Sequence, residues 1–160
     1  MIKKLIVFLS FFALVSCSNI QLVLKDTSLT NDLKDNVFLV FNKNNKQSFE
    51  RELISFFGNN KGGDFIIISS FYEKKENRLV KKNQVAEKID YYLSVDYELY
   101  YLTQDCKIFE KKIVSKFSFV PKSFGYNFGA DRSLEKQYKA SLRKNIQNFT
   151  DRIPKEKNCL

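Results

Sequence analysis

Seven odd-numbered positions in a row, Ile89, Tyr91, Leu93, Val95, Tyr97, Leu99 and Tyr101, are apolar or aromatic, and Asp90, Ser94, Asp96 and Glu98 stand between them. Side chains of a strand alternate between two faces, so this pattern predicts one long strand with a buried and a wetted face. Only Tyr92 and Tyr100 interrupt the wet side. After Thr103-Gln104-Asp105-Cys106, which reads as a turn, Phe109, Ile113, Phe117 and Phe119 resume the period of two, with Lys111 and Ser115 as exceptions. The two segments should pair as a hairpin that Pro121 ends. Upstream, Val37-Phe38-Leu39-Val40-Phe41 is a continuous apolar run between Asn36 and Asn42, as a strand buried on both faces requires. Phe49, Leu53, Phe56 and Phe57 recur at helical spacing, with Gly58 placed to close the helix. Turn residues at 59–64 then release the chain into a second strand over 65–72. Near the end, Gly125 and Gly129 mark a loop, and Leu134, Tyr138, Leu142, Ile146, Phe149 and Ile153 form a helical stripe stopped by Pro154.

The order is therefore β-α-β-β-β-α. A sheet with one apolar face needs cover and two amphipathic helices supply it, which predicts an α+β two-layer sandwich, mostly antiparallel, with four strands. The basic stretch 73–88, with Lys74, Lys75, Lys81 and Lys82, reads as a solvated connector. Residues 37–160 form one domain, large enough to bury a core.

The start of the chain has a different pattern. Lys3 and Lys4 precede an apolar run over 5–15, too short for the roughly twenty residues of a membrane span and typical of an export signal. Cys17 directly follows Leu14-Val15-Ser16, which resembles the lipobox of bacterial lipoproteins. That resemblance implies removal of 1–16, lipidation of the Cys17 thiol and a tether over 17–36. Ser18 takes the place where aspartate marks inner-membrane retention in enterobacterial lipoproteins, so the expected location is the outer membrane of a Gram-negative cell. Cys106 and Cys159 are the other thiols. In an oxidising compartment they either pair, stapling the tail beyond Pro154, or stay independent.

Net charge is +9, and +7 once Lys3 and Lys4 leave with the signal. Lysine far outnumbers arginine and tryptophan is absent, which argues against nucleic acid as the partner. For an exported lipoprotein the relevant anions are lipid phosphates and acidic sugars. The chain has no histidine, which removes the commonest general base and metal ligand, and no nucleophile elbow or phosphate-cradling glycine loop. The expectation is a binding protein without catalytic residues, metal or cofactor.

The segments Tyr92-Leu93-Ser94-Val95-Asp96-Tyr97 and Phe124-Gly125-Tyr126-Asn127, then Ala130 and the stripe from Leu134 to Ile153, give the chain a resemblance to the lipopolysaccharide-assembly lipoprotein family LptE, in its alphaproteobacterial form. The resemblance implies a plug within the outer-membrane β-barrel LptD, facing the periplasm or the barrel lumen, that helps lipopolysaccharide reach the outer leaflet. Tyr92, Tyr100 and Tyr101 are candidate contacts to a polar lumen, and Lys107, Lys111, Lys112 and Lys116 candidate partners of lipid A phosphates. The alternative for these lysines is protection of a sheet edge. The alternative function is another outer-membrane assembly or secretion lipoprotein acting as a binding module.

Overall fold

The computed structural model describes residues 32–43, 45–80, 86–121 and 128–160. The signal, Cys17 and the stretch from Phe124 to Asn127 lie outside the described residues. Strand β1 is Val37–Phe41, helix α1 is Gln47–Phe57, β2 is Phe65–Val80, β3 is Ala86–Tyr101, β4 is Cys106–Phe119 and α2 is Phe128–Thr150. The four strands form one sheet in sequence order. β1 lies parallel to β2, and β2, β3 and β4 are antiparallel neighbours. This is the expected α+β sandwich with a mixed, mostly antiparallel sheet.

Both helices lie on one face of the sheet. α1 buries Phe49, Leu53 and Phe57, each contributing about 1.5–3 kcal/mol by removal from water. α2 adds Leu142, Ile146 and Phe149. Opposite them stand the odd-numbered residues of the sheet, including Val37, Leu39, Ile67, Leu93, Val95, Tyr97, Leu99 and Ile113, all buried. Leu33 is fully buried in the same core, so the segment expected to be only a tether already contributes to packing.

The expected connector 73–88 is largely strand. β2 continues from Phe65 to Val80 and β3 begins at Ala86, with pairs such as Lys75 opposite Tyr91 and Arg78 opposite Lys88. Charged side chains hid this extension because it lacks the apolar face that period counting needs. Each arm has 16 residues, roughly 50 Å at strand rise. α2 also starts earlier than expected, so Gly129 is helical rather than in a loop, and it ends at Thr150, before Pro154.

Two glycines have local reasons. Gly58 has φ of 75°, a conformation that side chains disfavour, and its N–H caps α1 on the Ile54 carbonyl at 2.8 Å. Gly63 lies against the backbone of Asn36 and Val37, where a Cβ would collide with the Asn36 carbonyl. That close approach lets Asn36 accept from the Asp64 N–H through its side chain at 3.0 Å and from Phe65 N–H through its carbonyl at 3.3 Å, which seats β2 beside β1.

Cys106 and Cys159 are joined by a disulfide, with Cα atoms 5.7 Å apart. The tail after α2 therefore returns to the start of β4, where Leu160 N–H donates to the Lys107 carbonyl at 2.9 Å. Lys157 reaches the Phe65 and Tyr101 rings and pairs with Asp32 at 3.4 Å. Among the described residues no helix is long and apolar enough to cross a membrane.

Candidate functional site: the open sheet face

The helices cover the odd-numbered face, and the even-numbered face has no covering layer among the described residues. The register lines up three cross-strand rows on it: Lys74, Tyr92 and Lys116; Tyr72, Ser94 and Val114; Ser70, Asp96 and Lys112. Nearer the β3–β4 turn follow Ile68 with Glu98 and Glu110, then Ile66 with Tyr100 and Lys107. Ile66, Ile68 and Tyr100 line a small hollow of about 160 Å³ with Leu102.

Each tyrosine of this face has a lysine over its ring. Lys112 Nζ is 5.8 Å from the Tyr72 centroid, Lys116 is 4.8 Å from Tyr92 and Lys107 is 5.6 Å from Tyr100. Such contacts hold long side chains in place without hiding them. Tyr72 is 52% and Val114 54% exposed, so the face is both aromatic and open.

The lysines are also paired with carboxylates. Lys107 Nζ lies 2.7 Å from Glu110 and 2.8 Å from Glu98. These two carboxylates hold its ammonium above the usual range, and Lys107 with the Tyr100 hydroxyl holds Glu98 below the usual carboxylate value. Lys112 reaches Asp96 at 3.7 Å, and Lys116 reaches Asp90 at 3.4 Å. The Tyr92 phenol and then Asp90 raise Lys116. Asp90, expected on the wet side, is 1% exposed. Its position on the sheet is as predicted, but Arg78 at 2.7 Å, Lys116 and the Ser118 hydroxyl at 2.6 Å cover it. The Ser118 hydrogen bond and the two cations stabilise its ionised form and hold its carboxyl below the usual aspartate value. Among the described residues of this face, six cations (Lys74, Arg78, Lys88, Lys107, Lys112 and Lys116) accompany five carboxylates (Glu76, Asp90, Asp96, Glu98 and Glu110). A nearly neutral, pre-paired surface suits hydrogen-bonding protein contacts more than capture of a free anion.

Five of the seven candidate contact residues thus share this face: Tyr92, Tyr100, Lys107, Lys112 and Lys116. Tyr101 does not. It belongs to the odd face, where its ring stacks on Phe65 at 5.1 Å beneath Lys157. Lys111 is also of the odd set, exposed at the sheet margin opposite Tyr97. A register shift between Leu99 and Tyr100 places Lys107 opposite Tyr100 and turns Ile108 into the core. Tyr72 was missed as a contact candidate, although its even position beside buried Phe71 already puts it on the wet side.

Behind the face, the two layers are tied by polar contacts. Asn145 of α2, fully buried, accepts from the Tyr97 phenol at 3.0 Å and donates to the Ile113 carbonyl at 3.0 Å and the Leu93 carbonyl at 3.3 Å. Glu52 of α1 holds Arg143 and Lys139 of α2 at 2.8 and 3.1 Å. Glu73 of β2 accepts from Tyr138 of α2 at 2.6 Å and pairs with Lys46 and Lys75. Among the described residues no group of three His, Cys, Asp or Glu side chains is placed to hold a metal ion.

No protein-family model matches the chain, and no curated protein matches it. Solved structures do. The fold is similar to that of a protein from Caulobacter crescentus described as a lipoprotein, with TM-score 0.53 and 15% identity over 77% of this chain and 92% of that one. It is also similar to the minor lipoprotein from Acinetobacter baumannii, with TM-score 0.54 and 12% identity over 73% of this chain and 88% of that one. Rare lipoprotein B from Shewanella oneidensis aligns at TM-score 0.49 and 11% identity over 73% of this chain and 89% of that one. At these identities the likeness is one of fold: the chain has the architecture found in bacterial lipoproteins.

Proposed function

We propose that this chain is an outer-membrane lipoprotein of the LptE type, anchored through Cys17, that seats inside the LptD barrel and assists delivery of lipopolysaccharide to the outer leaflet. The observation that carries the reading is the open sheet face, where Tyr72, Tyr92 and Tyr100 are each held by a lysine that is itself neutralised by a carboxylate. A barrel lumen is polar and hydrogen-bonding, and a rigid, charge-balanced, tyrosine-bearing surface matches it. The signal-like start and the lipobox-like Cys17 support the location, and the fold found in lipoproteins is consistent with it. The protein acts by fitting into a partner, with no chemistry of its own.

The test is affinity capture of the lipidated full chain from outer membranes, together with its depletion. Co-recovery of a lipopolysaccharide-exporting barrel, and loss of surface lipopolysaccharide on depletion, are the expected results. Recovery with secretion-pore or barrel-assembly components, with surface lipopolysaccharide intact, overturns the reading.

A further inference from the structure

The two lateral edges of the sheet are treated differently. β1 is closed off by the loop after α1: Asn60 N–H donates to the Val37 carbonyl at 2.9 Å, and the Asn59 side chain accepts from Leu39 N–H at 3.2 Å. Where β1 stops, the Asn45 side chain takes over as a strand would, accepting from Phe71 N–H at 2.8 Å and donating to the Ser69 carbonyl at 3.0 Å. At the other edge, β4 is met among the described residues only at its start, by Leu160 on the Lys107 carbonyl and the Cys106–Cys159 bond. Beyond that point, from Phe109 to Phe119, no strand among the described residues pairs with its free side.

That stretch contains no proline and no glycine, and its register with β3 is unbroken from Phe109 to Phe119. Toward the helices it presents Phe109, Ile113 and Phe117, the first and last half-buried. On the open face it presents Glu110, Lys112, Val114, Lys116 and Ser118, with Glu110 held by Lys107 and with Lys111 exposed at the margin and in no ion pair among the described residues. We infer that the free edge of β4 is a strand-addition site for an extended segment of another protein that alternates apolar residues, toward the helices, with carboxylates, toward the open face. Main-chain hydrogen bonds would supply the affinity, and carboxylates that share Lys112 and Lys116 with their longer contacts to Asp96 (3.7 Å) and Asp90 (3.4 Å) the selectivity.

A second copy of the chain fits less well. In the antiparallel register centred on Ile113, each Glu110, already paired with Lys107, meets a Lys116, while Lys111 and Lys112 of both copies crowd one seam with no carboxylate of the other strand opposite them. The far half of β2, from Glu73 onward, is also beyond the reach of β1, but its side chains Lys74, Lys75, Glu76 and Arg78 offer no apolar row for a partner strand. The inference does not depend on which partner surrounds the open face.

The experiment is amide hydrogen exchange on the full chain in detergent micelles, with short synthetic peptides of alternating Glu and Val or of alternating Lys and Val. The Glu-Val peptide should slow exchange over 109–119 by about tenfold, leaving β1 and the far half of β2 unchanged, and the Lys-Val peptide should not. The double substitution Lys112→Glu and Lys116→Glu, at exposed positions of the open face, should exchange the two preferences. Equal effects of the two peptides, no slowing over 109–119, or slowing at 73–80 instead would overturn the proposal. So would protection over 109–119 that rises with protein concentration alone, since a second copy would then be the occupant.

Discussion

The Tyr97 phenol donates to the Asn145 side-chain oxygen at 3.0 Å at the centre of the molecule, and neither residue is exposed to solvent. The Tyr97 ring is stacked on Phe149 one turn further along α2, with centroids 4.1 Å apart. One strand residue therefore fixes both the depth and the rotation of the long helix. Burial pushes ionisation of the phenol far above its ordinary range, so it remains a donor at any working pH. Asn145→Ala leaves that phenol without its acceptor and opens a cavity, and should cost about 2–4 kcal/mol in urea unfolding. Tyr97→Phe removes only the donor and should cost about 1–2 kcal/mol. Equal stability of both variants and the parent would show that α2 docks through apolar contacts alone.

Removing the disulfide tests the tail. The bond spans 53 residues of sequence, and the chain-entropy estimate for such a loop is about 4 kcal/mol. Cys106→Ser should lower unfolding free energy by about 2–4 kcal/mol, and reductant should do the same to the parent but nothing further to the variant. Trypsin should then cut at Lys155 or Lys157 well before it cuts the sheet.

The carboxylate of Glu73 sets a pH dependence. Burial opposes its ionisation, but hydrogen bonds from Lys46, Tyr138 and Lys75 outweigh this and hold its pKa below the ordinary glutamate value. A depressed folded-state value contributes stability that is present above the unfolded value and is lost as pH falls through the folded one. Glu73→Gln should therefore lower the thermal midpoint at pH 7 and change it little at pH 3. Glu52 and Asp90 are shifted in the same direction, so the acid limb should become shallower without disappearing.

Substitutions on the open face should separate binding from folding. Tyr72 and Val114 are more than half exposed, so Tyr72→Ala and Val114→Ala should move stability by less than about 0.5 kcal/mol. If this face seats against a barrel, Tyr72→Ala combined with Tyr92→Ala should reduce barrel recovery by about tenfold. Unchanged recovery with an unchanged fold would place the contact elsewhere.

Gly63→Ala puts a methyl group against the Asn36 carbonyl where β1 and β2 are seated, and should cost about 1–3 kcal/mol. Gly62 has open space around its Cβ position apart from the Asn60 side chain at 3.7 Å, so Gly62→Ala is the neutral control.

Strand and helix positions were legible wherever one face is apolar. The odd positions from Ile89 to Tyr101, Phe49, Leu53 and Phe57 of α1, and Leu142, Ile146 and Phe149 of α2 lie as periodicity predicts, whereas Phe56 of the expected α1 stripe is 37% exposed. The extension of β2 past Tyr72 was not legible, because beyond the helices neither face of that arm is buried and the pattern of two vanishes. The shift at Leu99 and Tyr100 was equally silent: one extra residue moves Ile108 inward and changes which lysines share a face with Tyr100. Pairing of Lys107, Lys112 and Lys116 with specific carboxylates depends on cross-strand register, which no single strand's sequence contains. The link between Cys106 and Cys159 was one of two readings because 53 residues of unknown path separated them.

The covalent clasp between β4 and the tail has a consequence for the life of the molecule. If the chain is exported as proposed, its thiols stay reduced in the cytoplasm and it lacks that clasp until it has crossed the inner membrane. The precursor is thus the looser form, easier to keep threaded for translocation. Oxidation on the far side would then lock in the mature shape, a one-way ratchet supplied by the compartment itself.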